Sequence, residues 1–161
     1  MSRRLSFPRF LVFLIVFAGG MVCGKLVSSA PAGGHEAAHG GVLNVIGNEV
    51  GHAELRLTGD LVELWFVGGG NDTNRAVPIQ ADTVKLTVEK DLVLEAAPLV
   101  LAGEKKGTCS HYTARAEWLS AMGDFTAHGR VLFKGQEFDL FLRYPEGYHP
   151  HHGHGHAHQH D

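Results

Sequence analysis

From Gly41 onward, short apolar runs are broken at close intervals by Gly, Asn and Asp, a spacing that predicts an all-β domain. Ala53, Leu55 and Leu57 alternate with His52, Glu54 and Arg56, so a period of two sends the first set to a core and the second to water. Gly59-Asp60 reads as a hairpin turn, and residues 61–67 as the returning strand, ended by Gly68-Gly69-Gly70 and the polar stretch 71–74. Residues 75–80 predict an edge segment, because Pro78 has no N–H to donate to a neighbour. Val84, Leu86 and Val88 alternate with Thr83, Lys85, Thr87 and Glu89, and Lys90-Asp91 turns the chain back into a strand over 92–96. Residues 114–122 lack alternation and contain good helix formers, which predicts a short helix stopped by Gly123. A last hairpin pairs 125–133 with 137–144 around Lys134-Gly135-Gln136 and places Phe138, Leu140, Leu142 and Tyr144 on one face. Seven or eight strands with one short helix predict an antiparallel β-sandwich of immunoglobulin-like shape over residues 41–144.

The two ends read differently. Arg3, Arg4 and Arg9, an apolar run over 10–18 and the small-residue pattern Ala30-Pro31-Ala32 predict a signal sequence over residues 1–32, so that the mature chain starts near Gly33. The apolar run is shorter than the ~20 residues that cross a bilayer, although weakly apolar residues continue to Val27, so an uncleaved membrane anchor is the second reading. Lipidation at Cys23 ranks below secretion, because bulky Val22 precedes it. Residues 33–40, GGHEAAHG, predict a small-residue linker, and residues 145–161 a flexible, disordered histidine-rich tail. These features place the protein in the periplasm or outside the cell.

All seventeen acidic residues lie beyond position 32 and four of the fourteen basic ones before it, so the mature chain carries a net charge of −7. Nucleic acid is thereby an unfavourable partner. Beyond the signal sequence only Cys109 is left, so no internal disulfide can form, and it reads as a small buried hydrophobe.

The chemistry concentrates in the tail, where His149, His151, His152, His154, His156, His158 and His160 are interleaved with Gly, Ala, Gln and Pro. Neutral imidazole is a good ligand for zinc, copper and nickel, and a flexible chain with a ligand at nearly every second position can gather several around one ion. Gly153 and Gly155 leave that backbone loose, which predicts moderate affinity and poor selectivity. His35 and His39, four apart with Glu36 between them, offer further ligands or a free-amine site near the new N-terminus, and can share an ion with the tail if the two ends lie close. His52, His111 and His128 lie inside the domain, where a lone strand histidine is read as exposed or hydrogen-bonded and not as a ligand. Cys109 and His111 would share a face if extended, which invites a copper or thiolate reading. Neither a Gly-x-Ser-x-Gly elbow nor a His-Glu-x-x-His helix occurs, and Gly68-Gly69-Gly70 precedes no Lys-Ser/Thr, so no catalytic constellation is read and the protein is expected not to be an enzyme.

The order of an export segment, His39-Gly40-Gly41-Val42-Leu43, His52-Ala53-Glu54-Leu55, Ala76-Val77-Pro78-Ile79 and a terminal histidine tail resembles a group of small, uncharacterised exported bacterial proteins. The likeness spans most of residues 39–161, with Gly51 where that group commonly has an aromatic and Lys134-Gly135-Gln136 in place of a simple Gly-Lys turn. It implies a secreted or lipid-anchored β domain linked to metal handling, and no catalytic residue. The function expected is that of an exported scavenger, buffer or donor of zinc, copper or nickel. The alternative is a protein-interaction module of the cell envelope, an accessory to a metal efflux system, with Trp65, Phe141, Tyr144 and Tyr148 as its exposed aromatics.

Overall fold

A computed structural model describes residues 35–150. The signal sequence expected over 1–32 and the tail histidines His151, His152, His154, His156, His158 and His160 lie outside the described residues. The chain forms eight antiparallel strands: β1 (Val42–Ile46), β2 (Gly51–Thr58), β3 (Leu61–Gly68), β4 (Val84–Val88), β5 (Leu92–Pro98), β6 (His111–Arg115), β7 (Phe125–Phe133) and β8 (Gln136–Tyr144). They form one sheet in the order β1-β2-β3-β6-β5-β4-β7-β8.

The strands do not divide into the two packed sheets of an immunoglobulin-like sandwich. The sheet instead curls until its edge strands β1 and β8 meet, giving a barrel-like, nearly closed shape. The hairpin turns are local and fall where the turn residues predict. Gly59 (φ 61°) sits between β2 and β3, and the Lys134-Gly135 pair (φ 50° and 82°) between β7 and β8. The segment around Pro78 makes only single bridges, Ala76 to Val67 and Ile79 to Cys109. The expected helix over 114–122 is one turn of 3-10 helix at Glu117–Ala121, and its first residues belong to β6.

Asn44 joins the two edges. Fully buried in β1, it accepts a hydrogen bond at Oδ1 from Arg143 N of β8 (2.8 Å) and donates from Nδ2 to Ala53 O and Val42 O (3.3 Å each). Val45 N donates to Tyr148 O (2.8 Å), so the chain leaving β8 continues along β1. One side-chain amide thus stands in for rungs of a ladder that the curl does not complete. Asn44→Ala should cost about 1–3 kcal/mol, because Arg143 N–H loses its acceptor at a closed seam. A lower urea midpoint with an unchanged m-value checks this.

The barrel interior is filled by alternate residues such as Ala53, Leu55, Leu64, Phe66, Tyr112 and Phe133. Gly51 is explained by that packing: a Cβ there would lie 2.3 Å from the Phe133 ring, so an aromatic side chain has no room. The other face of β2 departs from expectation. Ala53 and Leu55 point inward as predicted, but His52 and Glu54 are fully buried instead of facing water. The cause is residues 35–41, which lie as a strap over the outer face of β1, β2 and β3. Ala37 packs on a second apolar cluster of Leu43, Trp65 and Val67. Thr73 Oγ1 donates to Glu36 O (2.7 Å), and Arg56 Nη1 donates to His39 O (2.9 Å). By contrast, β4, with no such cover, keeps a simple alternation of buried and exposed positions.

Candidate metal centre

The strap carries two histidines to the outer face, and each meets a different partner. His39 lies over Glu54, whose carboxylate is wholly buried and would be costly without compensation. Its Oε1 accepts from His39 N (2.7 Å) and Gly41 N (2.9 Å), and its Oε2 lies 2.8 Å from His39 Nδ1. A carboxylate can only accept, so Nδ1 is the donor in this contact. The His39 ring also stacks on Trp65 (centroids 4.5 Å apart, planes 2° apart). Glu54 and Trp65 together hold this imidazole in one orientation, with 36% of its side chain exposed.

His111 stacks against Trp65 as well (4.4 Å, 15°). Register places Glu54 of β2 on one side of Trp65 and His111 of β6 on the other, so His39 and His111 flank the indole and cannot share an ion. Arg56 lies over the same ring at 5.0 Å and donates from Nε and Nη2 to Glu63 Oε2 (2.9 and 2.5 Å). Burial pushes the His111 pKa below the ordinary imidazole value, aided by the nearby charges of His39 and Arg56, while Glu63 at 3.4 Å pulls the other way. With the folded value lowered, the unfolded chain takes up a proton first as pH falls below the ordinary imidazole value of ~6.5. Stability from this group is therefore complete above that pH and lost below it, down to the folded pKa. His111→Phe keeps a ring on Trp65 without the titration, so it should lose less stability than wild type between about pH 7.5 and about pH 5.5. Denaturation midpoints in chelator-treated buffer measure the difference.

His35 reaches the group with metal-ligand geometry: one ligand atom each from His35, Glu49 and His52 lie within 4.8 Å of one another. His52, on β2, is fully buried, and its Nδ1 lies 2.9 Å from Gly68 O. A carbonyl only accepts, so Nδ1 bears the hydrogen, and in the neutral ring Nε2 presents a lone pair. That lone pair faces Glu49 Oε2 at 3.3 Å, another acceptor, and neither atom has a hydrogen-bond partner among the described residues. His35 Nε2 lies 3.7 Å from the same carboxylate oxygen, and its ring centroid is 5.2 Å from that of His52. Lone pairs converging in a buried place are stabilised by a proton or a cation between them.

Local backbone holds the carboxylate there. Glu49 sits in the turn between β1 and β2 at φ 58°, a left-handed conformation that costs a non-glycine residue about 1–2 kcal/mol. Gly69 presses on it so closely that a Cβ would lie 1.9 Å from Glu49 O. The donor set fits a transition metal: two imidazoles and one carboxylate leave a fourth, tetrahedral position for water, as zinc accepts. Gly68 O supplies the outer hydrogen bond that fixes the tautomer of His52. A shallow cleft lined by His35, Glu36, Asn71 and Thr73 opens beside the group.

Of the residues expected to bind metal, His35 thus joins a three-ligand group, His39 is bonded to Glu54 apart from it, and His149 is exposed where the chain leaves the barrel. Glu49 and His52 complete the group without having been read as ligands. The copper or thiolate reading of Cys109 with His111 is not supported by the geometry: the thiol points into the core and donates to His111 O (3.0 Å) and Leu99 O (3.3 Å), while the His111 ring lies outside on Trp65. Burial also pushes the thiol's pKa up, away from the reactive thiolate. His128 is exposed and meets Phe141 edge-on at 5.0 Å. Compared with protein-family models, curated proteins and solved structures, the chain shows no match.

Proposed function

We propose that this protein is an exported, non-enzymatic binding protein for divalent transition-metal ions, zinc, copper or nickel. Its tail histidines collect ions loosely, and His35, Glu49 and His52 hold one ion in an ordered site. The observation that carries the reading is the buried Nε2 of His52, 3.3 Å from a Glu49 carboxylate oxygen, with neither atom having a hydrogen-bond partner among the described residues. Seven histidines within residues 149–161 and an excess of acidic residues beyond position 32 favour cation capture close to that site. Val45, which pairs with His52 in register, also donates to Tyr148 O, so the tail leaves the barrel two strands from the site. Two strand spacings are roughly 10 Å, well within reach of the tail.

Calorimetric titration of the full chain with zinc, copper(II) and nickel should show one tight site above several weak ones. Deleting residues 149–161 should remove the weak class and keep the tight one. Loss of all binding on that deletion would refute an ordered site in the barrel.

The envelope-interaction reading draws support from Leu99, Val100 and Leu101, consecutive and 48%, 71% and 40% exposed. It loses one of its four candidate aromatics, because Trp65 is 7% exposed between two imidazoles. Metal binding is therefore the better-supported reading.

A further inference from the structure

Residues 97–103 read APLVLAG, a run without a polar side chain, and every residue in it is exposed. The run leaves the end of β5 and leads through Glu104-Lys105-Lys106 toward β6. Surface loops are ordinarily polar, and three adjacent aliphatic side chains in water, Leu99, Val100 and Leu101, call for a cover. We propose that this loop docks on a bilayer carrying anionic phospholipid, with Leu99, Val100 and Leu101 among the acyl chains and Lys105 and Lys106 against the phosphates. The loop shares no residue with the metal group, so docking and metal binding are separable.

The backbone of the loop meets the condition that hydrocarbon imposes, which is that polar groups find partners within the chain. Leu99 N donates to His111 O (2.7 Å), and Leu99 O lies 3.3 Å from the Cys109 thiol. Leu101 N donates to Glu104 Oε2 (3.2 Å), and Leu101 O accepts from Glu104 N (3.3 Å). Glu104 is the brace. Its Oε1 accepts from Ser110 N (2.8 Å) and Ser110 Oγ (2.5 Å), so one carboxylate ties the apolar limb to the start of β6 and turns its charge toward the chain. Thr108 N and Oγ1 donate to Lys105 O (3.0 and 2.9 Å), which fixes the returning limb. The aliphatic side chains are thus presented on a fixed loop, with little conformational freedom left to lose on insertion.

The side chains favour lipid over a protein partner. Centres of protein interfaces draw on Trp, Tyr and Arg, with Leu and Val under-represented, and residues 97–103 contain none of the first three. Acyl chains ask for apolar area alone, and binding to a bilayer surface grows with that area and with attraction to anionic headgroups. Both lysines are exposed, and their long apolar stems let the ammonium groups reach headgroup level beside the inserted residues. Asp82, at the same end of β4 because Val84 pairs with Ala96, opposes that attraction with one charge against two. Contact should therefore be weak, reversible and sensitive to salt. β5 ends and β6 begins at the end of the barrel where β1 turns into β2 and β3 finishes at Gly68. Docking would therefore bring the end that carries His35, Glu49 and His52 to the membrane surface.

Partitioning of the full chain onto vesicles, with a chelator present, tests this. Wild type should bind vesicles of phosphatidylcholine mixed with phosphatidylglycerol more tightly than vesicles of phosphatidylcholine alone, and added salt should remove the difference. Val100→Asp, at a position 71% exposed, should weaken binding to both at least ~10-fold with an unchanged urea midpoint. Lys105→Glu with Lys106→Glu should abolish the preference for anionic vesicles and keep binding to the neutral ones. Val100→Trp reads the contact locally. With lipids brominated in their acyl chains, its fluorescence should be quenched beyond the baseline that Trp65 and Trp118 give in wild type. The N-terminal apolar run is the same in every variant, so differences among them report the loop alone. Quenching no greater than that baseline, or equal partitioning of wild type and Val100→Asp, would overturn the proposal. So would a concentration-dependent dimer that Val100→Asp dissociates while vesicle binding stays unchanged, since the run would then cover a second copy of the chain.

Discussion

Glu49→Gln is expected to leave the metal-free protein as stable as wild type, or up to about 1 kcal/mol more stable, while weakening zinc binding about a hundredfold. Both signs follow from the unpaired acceptors. In the wild type, Nδ1 of His52 is committed to Gly68 O, and Nε2 faces Glu49 Oε2 at 3.3 Å, neither of the two atoms having a hydrogen-bond partner among the described residues. A glutamine amide has the same shape and brings an N–H that can donate into that lone pair, so the metal-free site is repaired. The same change removes the anionic ligand and the charge that offsets a divalent ion. Glu49 lies on a turn with 37% of its side chain exposed, so the substitution leaves the core undisturbed. Denaturation with a chelator present gives the stability, and competition against a chromophoric chelator gives the affinity. A variant destabilised by more than about 1 kcal/mol with zinc affinity within a few-fold of wild type would identify a protonated His52 paired with Glu49, not a metal centre.

What the sequence makes legible is governed by distance along the chain. The Gly59-Asp60 and Lys134-Gly135 hairpins depend on two residues and their neighbours, and the alternation of Val84, Leu86 and Val88 appears directly as buried positions of β4. The curl of the sheet depends on pairings between distant segments: Trp65 opposite His111 in β3 and β6, and Thr87 opposite His128 in β4 and β7. Seven or eight alternating strands are compatible with a sandwich or a barrel, and only such pairings decide between them.

The same limit explains His52. Period two correctly separates it from Ala53 and Leu55, but the rule that the second face meets water fails once the strap covers that face. The covering depends on Glu54 finding the amides of His39 and Gly41, thirteen to fifteen residues away. One local clue was present. Glu49 stands three before His52 in the turn that opens with Gly47-Asn48, and this turn brings its carboxylate back over the first residues of the next strand. The density of tail histidines needs no fold to be read, whereas an ordered site needs the turn, the strap and the neighbouring glycine loop together.

That glycine loop carries the second large effect. Gly69→Ala should destabilise the protein by about 3 kcal/mol, roughly 10 °C in Tm, and weaken zinc binding at least about tenfold. The added Cβ would lie 1.9 Å from Glu49 O, 2.9 Å from Glu49 C and 2.8 Å from Val50 C, all backbone atoms that no rotamer change can move. The loop and the β1–β2 turn must therefore separate, and both sides of the separation belong to the site. On one side is Glu49, already held at φ 58°, and on the other is Gly68, whose carbonyl fixes His52 Nδ1 at 2.9 Å. Moving them apart shifts the carboxylate and frees the ring, so stability and affinity fall together. Gly70→Ala is the matched control. A Cβ there meets nothing within 4 Å, but φ is 56°, so the cost should be about 1–2 kcal/mol of backbone strain with zinc affinity unchanged. Equal losses of affinity in the two variants would mean that the loop acts only through global stability. Loss confined to Gly69→Ala would place the contact between Gly69 and Glu49 among the supports of the metal centre.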